Sequence, residues 1–145
     1  MVDLAMRRPT IWRPIWAILH SFPIAFFVGA LITDITYLNT AVMQWSNFSS
    51  WMIAGGLFMG GLALVAAALS AIFERRTILW KRALAFGLIS IVAWLVGFAN
   101  AFVHSQDAWL SVTWVGVTLS SITVALVMIA SWIGFNDMAY RRVTP

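Results

Sequence analysis

Four long apolar runs constrain the fold of this chain more than any other feature. They lie at about residues 15–38, 49–73, 83–104 and 109–135, and each is long enough to cross a bilayer as a helix. Of the 145 residues, 62% are hydrophobic and 10% are charged, and this composition excludes a soluble domain. The sequence therefore predicts an all-α integral membrane protein, a four-transmembrane-helix bundle in which residues 1–145 form a single transmembrane domain.

The basic residues indicate how the bundle is oriented. All nine fall before the first run, between the second and third, or after the fourth, namely Arg7, Arg8 and Arg13; Arg75, Arg76, Lys81 and Arg82; and Arg141 and Arg142. These places share one side of a four-span chain, and basic residues concentrate on the cytoplasmic side of membranes. We therefore expect both termini in the cytoplasm, and no nucleic acid as a partner.

The connections between the runs are predicted to be short. We expect an outer loop at residues 39–48, a basic inner loop at 74–82 and an outer turn at 105–108. Gly56 and Gly60 lie about one helical turn apart, and small residues at this spacing let helices approach closely. That face serves either packing within the bundle or contact between copies of the chain.

The residue types present exclude several kinds of catalytic site. The chain has no cysteine, which removes iron–sulfur clusters, thiolate zinc sites and cysteine nucleophiles. No serine is placed on the sharp strand-to-helix turn that exposes a nucleophile in hydrolases. We therefore expect a protein that is not an enzyme.

Polar residues occur at two depths within the apolar runs. With span centres near Phe26 and Trp94 and a rise of about 1.5 Å per residue, His20 lies about 9 Å toward the inner side. The same rise places Asp34 about 12 Å and His104 about 15 Å toward the outer side. The two histidines are then about 24 Å apart along the membrane normal. The sequence therefore predicts two separate polar layers.

The outer layer comprises Asp34 and Tyr37 from the first span, with Asn100, His104 and Asp107 near the end of the third. Helical spacing places the last three on one face. Asp34 could hydrogen-bond His104 and orient its ring, or Asp34, His104 and Asp107 could coordinate a metal ion. A hydrogen-bonded clasp between the first and third spans explains the same residues, and these interpretations stay open.

The inner layer contains His20, one turn before Pro23, with Met128 of the fourth span at a similar depth. His20 and Met128 could ligate a haem iron. Alternatively, His20 bonds the backbone carbonyl that Pro23 leaves free, because proline has no N–H to donate. A haem b held by His20 and His104 together is disfavoured, because both rings would have to reach one iron. Haem would need a different second ligand at each histidine, or a ligand from a partner chain.

Three stretches carry a resemblance to a known family. They are residues 20–24 (His-Ser-Phe-Pro-Ile), 29–37 (Gly-Ala-Leu-Ile-Thr-Asp-Ile-Thr-Tyr) and 102–109 (Phe-Val-His-Ser-Gln-Asp-Ala-Trp). In these motifs the chain resembles a bacterial membrane family described as domain of unknown function 2231, and the likeness covers nearly the whole chain. It implies a four-helix membrane protein. Some relatives occur beside or fused to quinoprotein-type sugar dehydrogenases, which implies a role beside periplasmic redox enzymes.

The chain departs from this family at the start of the third span. Many relatives carry a further histidine there, where this chain has Trp80-Lys-Arg-Ala83. That histidine would lie at the depth of His20 and could complete an inner bis-histidine pair. The resemblance therefore does not imply an inner bis-histidine pair in this chain.

These observations favour a non-catalytic membrane subunit that anchors or supports a redox or other envelope complex. We expect it in the bacterial inner membrane, with lipid and either a protein partner or further copies of the chain as its contacts. The alternative is a haem b-binding electron-transfer protein, and no other cofactor is expected. A small transporter or channel has weaker support, because no charged residue lies near mid-membrane.

Overall fold

The protein is built from four helices. The computed structural model describes residues 12–73, 80–106 and 112–143. The helices are α1 (Trp12–Thr40), α2 (Met43–Phe73), α3 (Trp80–His104) and α4 (Trp114–Val143). All four are long and apolar enough to cross a membrane, and the described ranges contain no strand. The predicted four-helix architecture is confirmed.

The helices pack side by side as a four-membered ring. Helix α1 packs against α2 and α4, and α3 packs against the same two neighbours. Across the diagonals, the described backbones of α1 and α3 do not approach each other, and neither do those of α2 and α4. Helices that are consecutive in the chain are therefore neighbours in space, as in an up-and-down bundle.

The connection between α1 and α2 is much shorter than the predicted loop at 39–48. Only Ala41 and Val42 separate the two helices. Ala41 adopts a φ of 53°, and its N–H donates to the Tyr37 carbonyl at 2.7 Å, which ends α1 with a left-handed cap. The predicted loop residues after Val42 therefore form the first turns of α2. Asp34 and Ser49 lie equally far from this turn, so the antiparallel hairpin brings them to one level.

The connection between α3 and α4 also differs from the prediction. Helix α3 ends at His104 and α4 begins at Trp114, later than the predicted span start near residue 109. Residues 107–111 lie outside the described part of the chain.

One aromatic side chain fills the centre of the bundle. Phe27 of α1 is 3% exposed and packs with Ala93 of α3 and Val127 of α4. A Cβ added at Gly56 would lie 2.9 Å from the Phe27 ring, and one at Gly97 would lie 3.1 Å from it. Both glycines therefore leave the space that the ring occupies, and the Gly56 face packs within the bundle.

The outer surface is apolar and carries exposed tryptophans near both ends. Trp51 of α2, Trp114 of α4 and Trp132 of α4 are each about three-quarters exposed, at 75%, 76% and 75%. Tryptophan favours the two interfaces of a membrane, where its ring contacts apolar chains and its N–H reaches polar groups. The surface therefore suits a bilayer.

Candidate functional site

Asp34 is the centre of a buried group of polar side chains near the C-terminal end of α1. The residue is 0% exposed. Ser49 of α2 donates a hydrogen bond to Oδ1, and Ser120 of α4 donates to Oδ2 at 2.6 Å. His104 Nε2 of α3 lies 2.8 Å from Oδ1. One carboxyl group thus bonds a side chain from each of the other three helices. We call Asp34, Ser49, Asn100, His104 and Ser120 the polar clasp.

The hydrogen bonds of His104 determine how many protons the clasp holds. Nδ1 lies 3.0 Å from the Asn100 carbonyl oxygen, and a carbonyl only accepts, so Nδ1 carries a proton. Nε2 faces Asp34 Oδ1, and two lone pairs would repel at that separation. One further proton therefore lies between these atoms, on either the imidazole or the carboxyl group. In both states the pair has no net charge, which suits its burial between apolar helices.

Asn100 extends the clasp from α3 to α4. Its Nδ2 donates to Ser120 Oγ at 2.8 Å, and Ser120 in turn donates to Asp34. Its Oδ1 is buried and has no partner within the described structure. A Cβ at Gly116 would lie 3.0 Å from His104 Cε1 and 3.8 Å from this oxygen. The clasp therefore requires the close approach of α4 that glycine at 116 allows.

Local helix geometry explains how each element presents its side chains. Asn100 and His104 are four residues apart and share one face of α3, and Gly116 and Ser120 do the same on α4. Ser49 reaches Asp34 through the tight α1–α2 hairpin. No sequence pattern singles out Ser49 or Ser120 as partners of the carboxyl group. Asp34 and Ser49 are equally far along the chain from the α1–α2 turn. This spacing identifies them as partners only when the position of the turn is known.

A serine, a histidine and an aspartate meet in the clasp, but not as in a hydrolytic triad. In such a triad the serine and the carboxylate bond opposite nitrogens of the imidazole. Here Ser49 Oγ lies 3.2 Å and Asp34 Oδ1 2.8 Å from the same Nε2. Nδ1, the other nitrogen, bonds a backbone carbonyl. The arrangement therefore differs from that of a hydrolytic triad.

A family model described as "Predicted membrane protein (DUF2231)" matches residues 12–144. The chain belongs to the DUF2231 family. No curated protein and no solved structure gives a match. The resemblance seen in the sequence motifs is thus confirmed, and the family description adds membrane residence without a named activity.

The structure brings together some of the predicted outer residues of this DUF2231 chain. Asp34, Asn100 and His104 meet in the clasp, whereas Tyr37 is buried at 7% exposure without a described bond to Asp34. Asp107 lies outside the described residues. Over the ranges that the structure covers, no three His, Cys, Asp or Glu side chains group closely enough for a metal ion. The metal set of Asp34, His104 and Asp107 stays a prediction.

His20 of the DUF2231 chain lies apart from the clasp, about 21 Å from Asp34 along α1 at a rise of about 1.5 Å per residue. It is 7% exposed, its Nδ1 donates to the Trp16 carbonyl at 2.8 Å, and its ring stacks on Trp16 at 3.8 Å. Pro23 frees the carbonyl four residues before it, that of Leu19, so His20 bonds a different carbonyl from the expected one. His20 also lines a cavity of about 40 Å³, the inner cavity.

The structure does not bring the predicted haem ligands together within one chain. Met128 is 57% exposed on the outer surface and does not line the inner cavity beside His20. Both nitrogens of His104 are engaged, one by Asn100 and one by Asp34. The inner cavity, at about 40 Å³, is far smaller than a porphyrin. The haem b hypothesis therefore stays a prediction.

Proposed function

We propose that this chain is a non-catalytic integral membrane subunit that anchors or supports a redox or other envelope complex. The polar clasp carries the proposal. Both carboxyl oxygens of Asp34 and both ring nitrogens of His104 bond groups of the protein itself. The clasp therefore joins helices, and none of these four atoms is left to act on a substrate.

The energetics of the clasp suit a supporting role. Breaking a buried ion pair by removing one partner costs about 3–5 kcal/mol in soluble proteins. Hydrogen bonds between membrane helices contribute about 0.6–2 kcal/mol each. Because the clasp includes all four helices, these contributions act on the arrangement of the whole bundle. A bundle held in this way presents a constant outer surface to a neighbouring protein.

The orientation in the membrane is part of the proposal. In an up-and-down bundle, the start of α1, the end of α2, the start of α3 and the end of α4 share one side. By sequence, all nine basic residues adjoin these helix ends. The positive-inside rule then supports the bacterial inner membrane with both termini cytoplasmic. Reporter fusions after Thr40 and after Val143 test this, because opposite sides are expected for the two fusions.

Two alternatives have less support from the geometry. The haem b hypothesis lacks a second ligand at either histidine, as described above. A transport path would have to connect His20 with the clasp, and Phe27, Ala93 and Val127 pack between the two levels. Between the two levels on α4 the hydroxyl of the buried Thr123 bonds the Leu119 carbonyl of its own helix, so it does not link Ser120 with Ser131.

The test of the supporting role is purification of the tagged full-length chain from its native membranes in a mild detergent. We expect a second polypeptide, or further copies of the chain, in stoichiometric amount by quantitative mass spectrometry. Asp34→Ala should weaken this association, because it destabilises the packing of all four helices. Thr36→Val is the matched control, because the Thr36 hydroxyl is exposed and bonds only the Ile32 carbonyl of its own helix. A stable, monodisperse single chain from native membranes would contradict the proposal.

A further inference from the structure

The inner cavity contains three polar residues that the clasp does not use. It is lined by residues of all four helices, and its polar members are His20 of α1, Ser90 of α3 and Ser131 of α4. The α2 wall consists of Gly60, Ala63 and Leu64. No lining residue is an aspartate, glutamate, lysine or arginine. The cavity therefore offers hydrogen-bonding groups without a fixed charge.

Ser90 and Ser131 differ from the other helical hydroxyls of this protein. A hydroxyl in an apolar helix usually donates to a carbonyl three or four residues earlier. Eight described side chains do so here: Ser21, Thr33, Thr36, Thr40, Ser50, Thr118, Ser121 and Thr123. Neither Ser90 nor Ser131 has a hydrogen bond within the described structure, although Ser131 is only 8% exposed. Both hydroxyls are therefore available to a ligand in the cavity.

His20 provides a third available group. Its Nδ1 bonds the Trp16 carbonyl and must donate, so in the neutral ring Nε2 is an acceptor. No hydrogen bond of Nε2 occurs in the described structure. The cavity thus combines one acceptor with two hydroxyls that both donate and accept. Water is the small molecule that matches such a mixed set.

The size of the cavity excludes larger ligands. One water needs about 10–15 Å³ of such space, so the cavity's volume corresponds to about two to four waters. A cavity that binds benzene measures about 150 Å³, so a quinone ring or a porphyrin does not fit. The lining supplies neither a carboxylate for a cation nor a cationic Lys or Arg for an anion. A small cluster of water is the occupant that both size and chemistry favour.

We propose that the inner cavity binds a small water cluster held by His20, Ser90 and Ser131, and that this cluster exchanges protons with His20 Nε2. Phe27 lines the outer end of the cavity and packs against Ala93 and Val127. The cluster is therefore separated from the polar clasp. The two histidines differ as a result: His20 is hydrated and exchanges protons, whereas His104 is held within the clasp. This inference does not depend on the proposed supporting function.

The test measures replacement of the imidazole Cε1 hydrogen by deuterium at each histidine. Mass spectrometry of peptides from the detergent-solubilised full chain, incubated in heavy water at one pH, separates His20 from His104. This exchange needs water at the ring and a nitrogen that gains a proton. We expect exchange at His20 about fivefold or more faster than at His104. Equal slow exchange at both histidines, or faster exchange at His104, would overturn the proposal.

A filling variant tests the cavity itself. In Gly60→Ala the added Cβ would lie 3.4 Å from Trp94 Cδ1 and 3.8 Å from Pro23 Cγ, which are acceptable contacts, and it would narrow the cavity. Gly61→Ala is the matched control, since Gly61 does not line the cavity and its Cβ would meet only Trp94 Nε1, at 3.7 Å. We expect Gly60→Ala to slow exchange at His20 about threefold and Gly61→Ala to leave it unchanged.

A second variant keeps the test independent of packing. The double substitution Ser90→Ala with Ser131→Ala removes both hydroxyls and no described hydrogen bond, so the fold is retained. Apolar cavities stay dry, so exchange at His20 should fall about threefold or more. Exchange at His104 is the internal reference in each sample. An unchanged His20 rate in the double variant would show that the cavity does not hold the proposed water.

Discussion

His104 Nε2 lies 2.8 Å from Asp34 Oδ1 and joins α1 to α3 across the diagonal of the bundle. The backbones of these two helices do not pack against each other within the described ranges. The contact therefore depends on two side chains that reach into the centre. Because Ser49 and Ser120 bond the same carboxyl group, this one pair connects all four helices.

The first prediction concerns the coupling within this pair. Asp34→Ala and His104→Ala should each lower the free energy of unfolding by about 3–5 kcal/mol, because each leaves a buried polar partner without its bond. The double variant should lose less unfolding free energy than the two single variants together, by about 1–3 kcal/mol. Denaturant unfolding in mixed micelles gives the free energy of unfolding of the unchanged protein, the two single variants and the double variant. Additive effects would show that the two residues act independently.

The second prediction uses two adjacent serines of α4. Ser120→Ala removes the bond to Asp34 and the acceptor of Asn100 Nδ2, and it should lower the free energy of unfolding by about 1.5–3 kcal/mol. Ser121→Ala removes only a bond to the Val117 carbonyl of the same helix. It should change the free energy of unfolding by less than about 0.5 kcal/mol. Unfolding of both variants under one condition gives the comparison. Similar losses for the two serines would argue against a stabilising role for the clasp.

The third prediction concerns the close approach at Gly116. Gly116→Ala places a Cβ 3.0 Å from His104 Cε1, so the ring must move and stability should fall by about 1–3 kcal/mol. Gly87→Ala is the matched control on α3, since its Cβ would meet nothing within 4 Å. That substitution should be neutral, or stabilising by up to about 1 kcal/mol, because alanine favours a helix. Thermal unfolding of both variants tests this, and a stable Gly116→Ala would contradict the described packing.

The fourth prediction concerns the ring that separates the two polar levels. Phe27→Ala should cost about 3–5 kcal/mol in stability and extend the inner cavity toward the clasp. Water should then reach His104, so deuterium exchange at its Cε1 should rise toward the His20 rate. Leu31→Ala is a milder control on α1, outside the Phe27 cluster and the cavity lining. A folded Phe27→Ala protein with unchanged His104 exchange would show that Phe27 does not separate the levels.

The fifth prediction distinguishes the supporting role from electron transfer. The purified chain, oxidised and then reduced with dithionite, should lack the sharp band of b-type haem, because no two described ligands can reach one iron. Total iron measured on the same sample provides the control. A near-stoichiometric haem band would contradict this expectation and would require a ligand from outside the single chain.

Some of the site could be predicted from the sequence, because helix depth follows from residue position. Asp34, Asn100 and His104 were expected in one outer layer, and the clasp interpretation paired the right two helices. Ser49 was missed because it lay next to a loop predicted at 39–48, whereas α2 begins at Met43, directly after the left-handed turn at Ala41. The direction of Met128 could not be predicted from its depth, and the structure places its side chain on the exposed surface of the bundle.

By itself, the sequence determined the four helices, their apolar length and the two polar levels, because these depend on local composition and on the fixed rise of a helix. The tertiary structure alone decided which side chains meet. Rotation of each helix about its axis depends on contacts between helices, such as Phe27 against Gly56 and Gly97. Those contacts turn Asp34 toward three partners and leave His20 beside a cavity. A residue's depth is a local property, whereas its direction is set by the packing of the whole bundle.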